Sequence, residues 1–203
     1  MVSLYDLTPK FQDLLRPTLT KLVTAGITAN QVTIFACFLC VFTGISIALH
    51  PNNIGFLLWL PVVLMARMAL NTIEIMLVRE FKQQSKLGVL LNELTDVISE
   101  AALYLPLAIY FQFSTTFVVL LVVLAVISEM AGVVAVQIGA NRQYQGPMGK
   151  SDRAIWLGVL ALLVGLGVNI PKALIDYTLI IIIMLLLITI FKRAHGALKE
   201  AGS

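Results

Sequence analysis

Between Arg67 and Glu100 the chain reads RMALNTIEIMLVREFKQQSKLGVLLNELTDVISE, placing Asn71, Glu74, Arg79, Glu80, Asn92, Glu93, Asp96 and Glu100 in or beside two apolar runs. Ionisable groups near hydrocarbon are costly, so where they gather is where chemistry is sought first. Residues three or four apart share a helix face, which puts Asn71 with Glu74 on one helix, with Val78 beside them. Asn92, Asp96 and Glu100 stack on the next helix, and Glu93 borders their stripe. Carboxylates and amide carbonyls at this density suit a hard divalent cation such as magnesium, manganese or calcium. With no His or Cys nearby, zinc is not expected. Part of the stretch, Glu80, Lys82, Lys86 and Glu93, reads equally well as the solvated end of a helical hairpin.

The elements that must hold these groups follow from composition. The 203 residues are 59% hydrophobic and 12% charged, with a mean hydropathy of +0.94, too apolar for a water-soluble domain. The chain reads as an all-α, polytopic membrane protein with six transmembrane helices, at about 31–49, 54–78, 88–112, 115–138, 154–169 and 173–191. Each run approaches the roughly 20 residues that cross a bilayer core, and apolar runs of this length are helices, not alternating barrel strands. No linker or repeat divides the chain, so we expect one membrane domain over 1–203: a lead-in at 1–29, a six-helix bundle at 30–193 and a tail at 194–203. In the lead-in, Leu4, Phe11, Leu14, Leu15, Leu19 and Leu22 recur at helical spacing while Lys10, Arg16 and Lys21 take other positions, as in an amphipathic interfacial helix.

Basic residues set the orientation. Lys10, Arg16 and Lys21 precede the first span; Arg79, Lys82 and Lys86 join the second to the third; Arg142, Lys150 and Arg153 join the fourth to the fifth; Lys192, Arg193 and Lys199 end the chain. The opposite connections hold one full positive charge, Lys172, against these twelve. Both termini and the acidic cluster are therefore expected in the cytoplasm, the membrane being a bacterial plasma (inner) membrane. Nucleic acid is not implied. The N-terminus, with Asp6 and Asp13, lacks the pattern of a secretory signal. Cys37 and Cys40, inside the first span, read as small apolar fillers. Ala125, Ala131, Gly132 and Ala135 make the fourth span suited to close helix packing.

The acidic cluster resembles the signature of the CDP-alcohol phosphatidyltransferases, DxxDGxxAR, eight residues, then GxxxDxxxD. The matching text is NTIEIMLVR, Glu80 to Leu87, then GVLLNELTD, with Arg79, Gly88 and Asp96 retained. The six-span plan, the ITANQVT segment leading into the first span and GPMGKSDRA between the fourth and fifth fit as well. The resemblance therefore covers essentially the whole chain.

The resemblance implies transfer of a phosphatidyl, or related phosphoalcohol, group from a CDP-linked lipid donor to an alcohol acceptor with release of CMP. It implies Mg2+ or Mn2+ held by positions matching Asn71, Glu74, Asn92 and Asp96, and Asp96 as the base taking the acceptor's proton. It further implies nucleotide contacts from Arg79, Gly88, Ile75 and Val78, an acceptor phosphate on Lys150 and Arg153, surrounding membrane lipids and a homodimer. Asn71 and Asn92 stand where the family has aspartate, Glu74 replaces a third aspartate, and Ile75 and Val78 replace its glycine and alanine. Glu100, one turn beyond Asp96, could return a carboxylate to a cage of Glu74, Asp96 and Glu100. Three readings stay open: an enzyme of phospholipid synthesis, a non-catalytic relative acting as lipid-binding or partner subunit, and a small transporter using Glu129 to couple protons.

Overall fold

The computed structural model describes residues 4–202, with side chains from Phe11 onward, so Leu4, Asp6 and Lys10 of the lead-in lie outside the described side chains. The described residues are helical and contain no strand: α1 (Leu4–Thr24), α2 (Ala29–Leu49), α3 (Trp59–Glu80), α4 (Lys86–Tyr104), α5 (Thr115–Val134), α6 (Lys150–Gly165) and α7 (Lys172–Ala201). Short 3-10 turns cover Ile54–Leu58, Leu105–Ile109 and Ala135–Ile138. Four stretches, Ala29–Leu49, Ile54–Glu80, Thr115–Ile138 and Lys172–Ala201, are long and apolar enough to cross a membrane. The chain is an integral membrane protein. α4 and α6 are shorter, at 19 and 16 residues, and α4 is made more polar by Asn92, Glu93, Asp96 and Glu100.

The elements follow the expected runs in order and differ from them chiefly at their ends. The third run does not continue as one α-helix to residue 112. Pro106 falls at the start of a 3-10 turn, where its missing N–H breaks the α-helical bonding. The last helix passes residue 191 and takes in most of the 194–203 tail, ending at Ala201. That tail has no proline, and its Ala, Leu, Lys and Glu are strong helix formers.

The chain packs as two units, Met1–Phe42 with Val62–Ser99, and Thr43–Pro61 with Glu100–Ser203. In the first, the lead-in helix docks by its apolar edge. Leu19 is buried with Ala29, Val32, Ile73, Met76 and Leu77, and Leu15, Leu22 and Val78 pack against them, while Leu14 points away, 73% exposed. The start of α2 is fixed by a reciprocal capping box. The Thr28 N–H donates to Gln31 Oε1 (2.9 Å) and the Gln31 N–H to Thr28 Oγ1 (3.4 Å), satisfying donors that a helix start leaves open. Gln83 adds a third bond, accepting from the Ala29 N–H at 2.7 Å. The start of α4 is capped by Ser85, whose hydroxyl accepts from the Gly88 N–H at 2.9 Å.

In the second unit, α5 packs along α7, and α6 packs on the Ile54–Leu58 turn. A Cβ at Gly165 would come within 2.8 Å of the Leu58 side chain, so glycine allows that approach. The buried Tyr110 hydroxyl donates to the carbonyls of Ile47 (3.1 Å) and His50 (3.0 Å), tying the end of α2 to the segment after α4.

Candidate functional site

In the first unit, α3 and α4 carry the groups singled out by sequence. Arg67, Asn71, Glu74 and Val78 recur at spacings of four, three and four on α3, hence on one face. Arg67 is 5% exposed. Its Nη2 donates to Asp96 Oδ1 at 2.9 Å and to the Asp96 carbonyl at 3.2 Å, and the two side chains are 6% and 13% exposed. Asn71, Glu74 and Asn92 are half-buried. Arg79 is exposed at the end of α3. Ile75 is 43% exposed, whereas Val78 packs onto the cluster formed by α1, α2 and α3. At Gly88 a Cβ would meet Asn30 Oδ1 at 2.7 Å and the Ser85 hydroxyl at 3.0 Å. The glycine that matches the signature thus also lets α4 start close beside α2.

In the second unit, Glu100 and Glu129 share a buried guanidinium. Arg153 has no exposed surface. Its Nε and Nη2 donate to Glu100 Oε2 at 3.1 and 2.7 Å, Nη2 also to Glu129 Oε1 at 2.9 Å, and Nη1 to the Met148 carbonyl at 3.3 Å. Glu129 meets two further arginines: Arg193 Nη1 lies 3.3 Å from Oε1 and Arg142 Nη2 lies 3.4 Å from Oε2. Arg193 Nη1 also donates to the Ser128 carbonyl at 2.6 Å. Three guanidinium groups against two carboxylates leave the network one positive charge in excess. Breaking a buried pair of this kind on one side costs far more than the intact pair contributes.

Beside this network lies a cavity of about 270 Å³, lined by Glu129, Arg142, Tyr144, Gly149, Lys150, Ser151, Asp152 and Arg193. Three of its walls are cationic, and the first turn of α6 contributes a further positive end. Asp152 is turned to its own helix, its Oδ2 accepting from the Gly149 N–H at 2.9 Å. Arg142 lies over the Tyr144 ring, 4.4 Å from its centroid. The arrangement can take an anion: Arg142 and Arg193 are held by Glu129, and Arg142 also by stacking, so little ordering of these two is left to pay for on binding.

The sequence-based site residues therefore separate into groups with different partners. Lys150 lines the cavity; Arg153 turns its donors to carboxylates and is not among the lining residues. Glu100 is engaged by Arg153, and Asp96 by Arg67. Among the described residues no three His, Cys, Asp or Glu side chains come together as a metal-holding group. The donor chemistry agrees: Asn71 and Asn92 supply neutral amides where the signature has carboxylates, and a guanidinium sits on Asp96. These residues do not fit a divalent ion in the manner of four aspartates. Arg67, Arg142 and Arg193 were missed as site residues. The available signal was an arginine inside an apolar run for Arg67; Arg142 and Arg193 were read only as markers of topology.

No protein-family model matches the sequence. Inner membrane protein YnbA of Escherichia coli (strain K12) is 44% identical over 165 residues, covering 81% of this chain and 82% of that protein. Among solved structures, Mycobacterium tuberculosis phosphatidylinositol phosphate synthase (PgsA1) in complex with manganese and citrate superposes with a TM-score of 0.76 at 18% identity, over 92% of this chain and 90% of that one. The same synthase with CDP-DAG bound gives 0.76 at 17% identity, over 89% and 92%.

Proposed function

We propose that this chain, which belongs to the same family as the inner membrane protein YnbA and has the fold of a CDP-alcohol phosphatidyltransferase, transfers a phosphatidyl group from CDP-diacylglycerol to a phosphate-bearing alcohol. The observation that carries the reading is the kept spacing of the signature, NTIEIMLVR to GVLLNELTD, in a chain whose fold matches a synthase structure with CDP-DAG bound. The acceptor hydroxyl oxygen forms a bond to the donor's lipid-side phosphorus, the bond from that phosphorus to CMP breaks, and the hydroxyl proton passes to Asp96. Arg67 orients the Asp96 carboxylate. Arg79 contacts the nucleotide, with Gly88, Ile75 and Val78 beside it. Lys150, with Arg142 and Arg193, receives the acceptor's phosphate in the cationic cavity, and Arg153 fixes the glutamates behind it. The reading includes six crossings, α1 on the interface, both termini at the cytoplasmic face of a bacterial inner membrane, and a homodimer.

A second reading, a non-catalytic lipid-binding relative, is favoured by the Arg67–Asp96 pair and the two asparagines. The proton-coupled transporter is disfavoured because Glu129 serves three arginines and is not an isolated carboxylate. Thermal stabilisation of detergent-purified protein by CDP-diacylglycerol tests the donor assignment. A ligand at a hundred times its Kd stabilises by about 2.7 kcal/mol. A saturable shift by CDP-diacylglycerol but not by phosphatidic acid is expected; equal shifts from both lipids remove the nucleotide from the account.

A further inference from the structure

We infer that the guanidinium of Arg67 is a built-in replacement for divalent-ion charge, and that the α3–α4 carboxylate cluster carries no divalent ion of its own. A site formed by the signature's four aspartates presents four negative charges, which bound divalent cations can balance in an apolar setting. Here Asn71 and Asn92 remove two of those charges. Glu74 and Asp96 retain two, and Arg67, buried on the same face of α3 one turn before Asn71, cancels one. The contact is direct: Nη2 reaches both the carboxylate and the carbonyl of Asp96. A metal ligated by Asp96 would have to displace this donor or sit beside its positive charge, and either outcome weakens cation affinity.

Three features of the cluster therefore point the same way. Asparagine in place of two carboxylates lowers attraction for a cation, and the buried guanidinium of Arg67 adds repulsion. The guanidinium also supplies what a metal would otherwise supply to Asp96, a fixed positive partner that orients its oxygen. The inference concerns metal occupancy and does not depend on which lipid the protein handles.

The test is a titration of the full-length, detergent-purified protein with Mn2+ alone, read by loss of the free-ion electron paramagnetic resonance signal. Wild-type protein is expected to take up no Mn2+ saturably in the micromolar range. The combined variant Arg67→Ala, Asn71→Asp, Asn92→Asp is expected to gain a saturable site, tightening Mn2+ binding by on the order of a hundredfold. Restoring Arg67 alongside Asn71→Asp and Asn92→Asp should weaken that site again. Saturable micromolar uptake by the wild type that disappears in Asp96→Asn would overturn the inference, as would a folded combined variant that binds no better than wild type. Should the combined variant not fold, the wild-type titration decides alone.

Discussion

Arg153 places two of its donors on a single oxygen of Glu100, at 3.1 and 2.7 Å, in a position with no solvent exposure. The Arg153 charge is balanced only by Glu100 and Glu129 among the side chains it bonds. Glu100→Ala strips one of them and leaves a buried guanidinium short of compensation, a change that costs about 3–5 kcal/mol. The expected result is a large drop in the melting temperature of the purified protein, greater than that for Asp13→Ala, whose carboxylate is exposed beside Arg16. A drop no larger than that of Asp13→Ala would show that Arg153 finds compensation elsewhere.

Gly88 sits in a close contact with two side chains that does not depend on any ligand. Gly88→Ala drives a methyl against Asn30 Oδ1 at 2.7 Å and Ser85 Oγ at 3.0 Å, and overpacking of this kind costs about 1–3 kcal/mol. Asn30→Ala in the same chain removes one of the two clashing groups and should recover part of the loss in a melting experiment. No recovery would place the strain at the Ser85 cap.

Gly146 is constrained twice. Its φ is +138°, and a Cβ there would overlap the Thr189 side chain, which is itself buried and accepts from the Met148 N–H at 3.0 Å. Gly146→Ala is therefore expected to disturb the segment leading into the cavity as well as stability. Proteolysis of the 139–149 connection should accelerate relative to wild type under native conditions.

Lys150→Gln removes one cation from the cavity wall and draws the donor back by one atom. Losing a hydrogen bond to a charged group costs about 1.5–3 kcal/mol, so KM for a phosphorylated acceptor should rise about ten- to a hundredfold. The turnover number should change less, because the phosphate is remote from the reacting hydroxyl. A fall in kcat at unchanged KM would place Lys150 on the reacting groups instead.

Much of the architecture was legible because apolar length alone marks a membrane helix. The helices appear in the order of the six apolar runs, and the signature spacing lies across the end of α3 and the start of α4. What eluded the sequence was pairing. Asp96 finds Arg67, 29 residues earlier, and Glu129 finds Arg193, 64 residues later, partners set by helix rotation and packing. Arg193 was counted as a tail charge because α7 was expected to stop at residue 191; its extension to Ala201 brings Glu200 to the side chains of Asn141 and Gln143. α1 was expected to lie on a lipid surface. Of the residues that gave that expectation, Leu19 is buried against α3 while Leu14 is exposed, so one side of α1 has a protein partner, and periodicity does not assign the other.

The central claim is phosphatidyl transfer, and the most direct measurement is release of CMP from CDP-diacylglycerol by the purified protein in mixed micelles. It should be run with phosphorylated polyols and their unphosphorylated counterparts as acceptors, in Mg2+ and in EDTA. The account predicts CMP release that requires a phosphorylated acceptor, persists in EDTA and is lost in Asp96→Asn. No CMP with any acceptor in either condition, from protein that CDP-diacylglycerol still stabilises, would contradict it and leave a lipid-binding protein with a transferase fold.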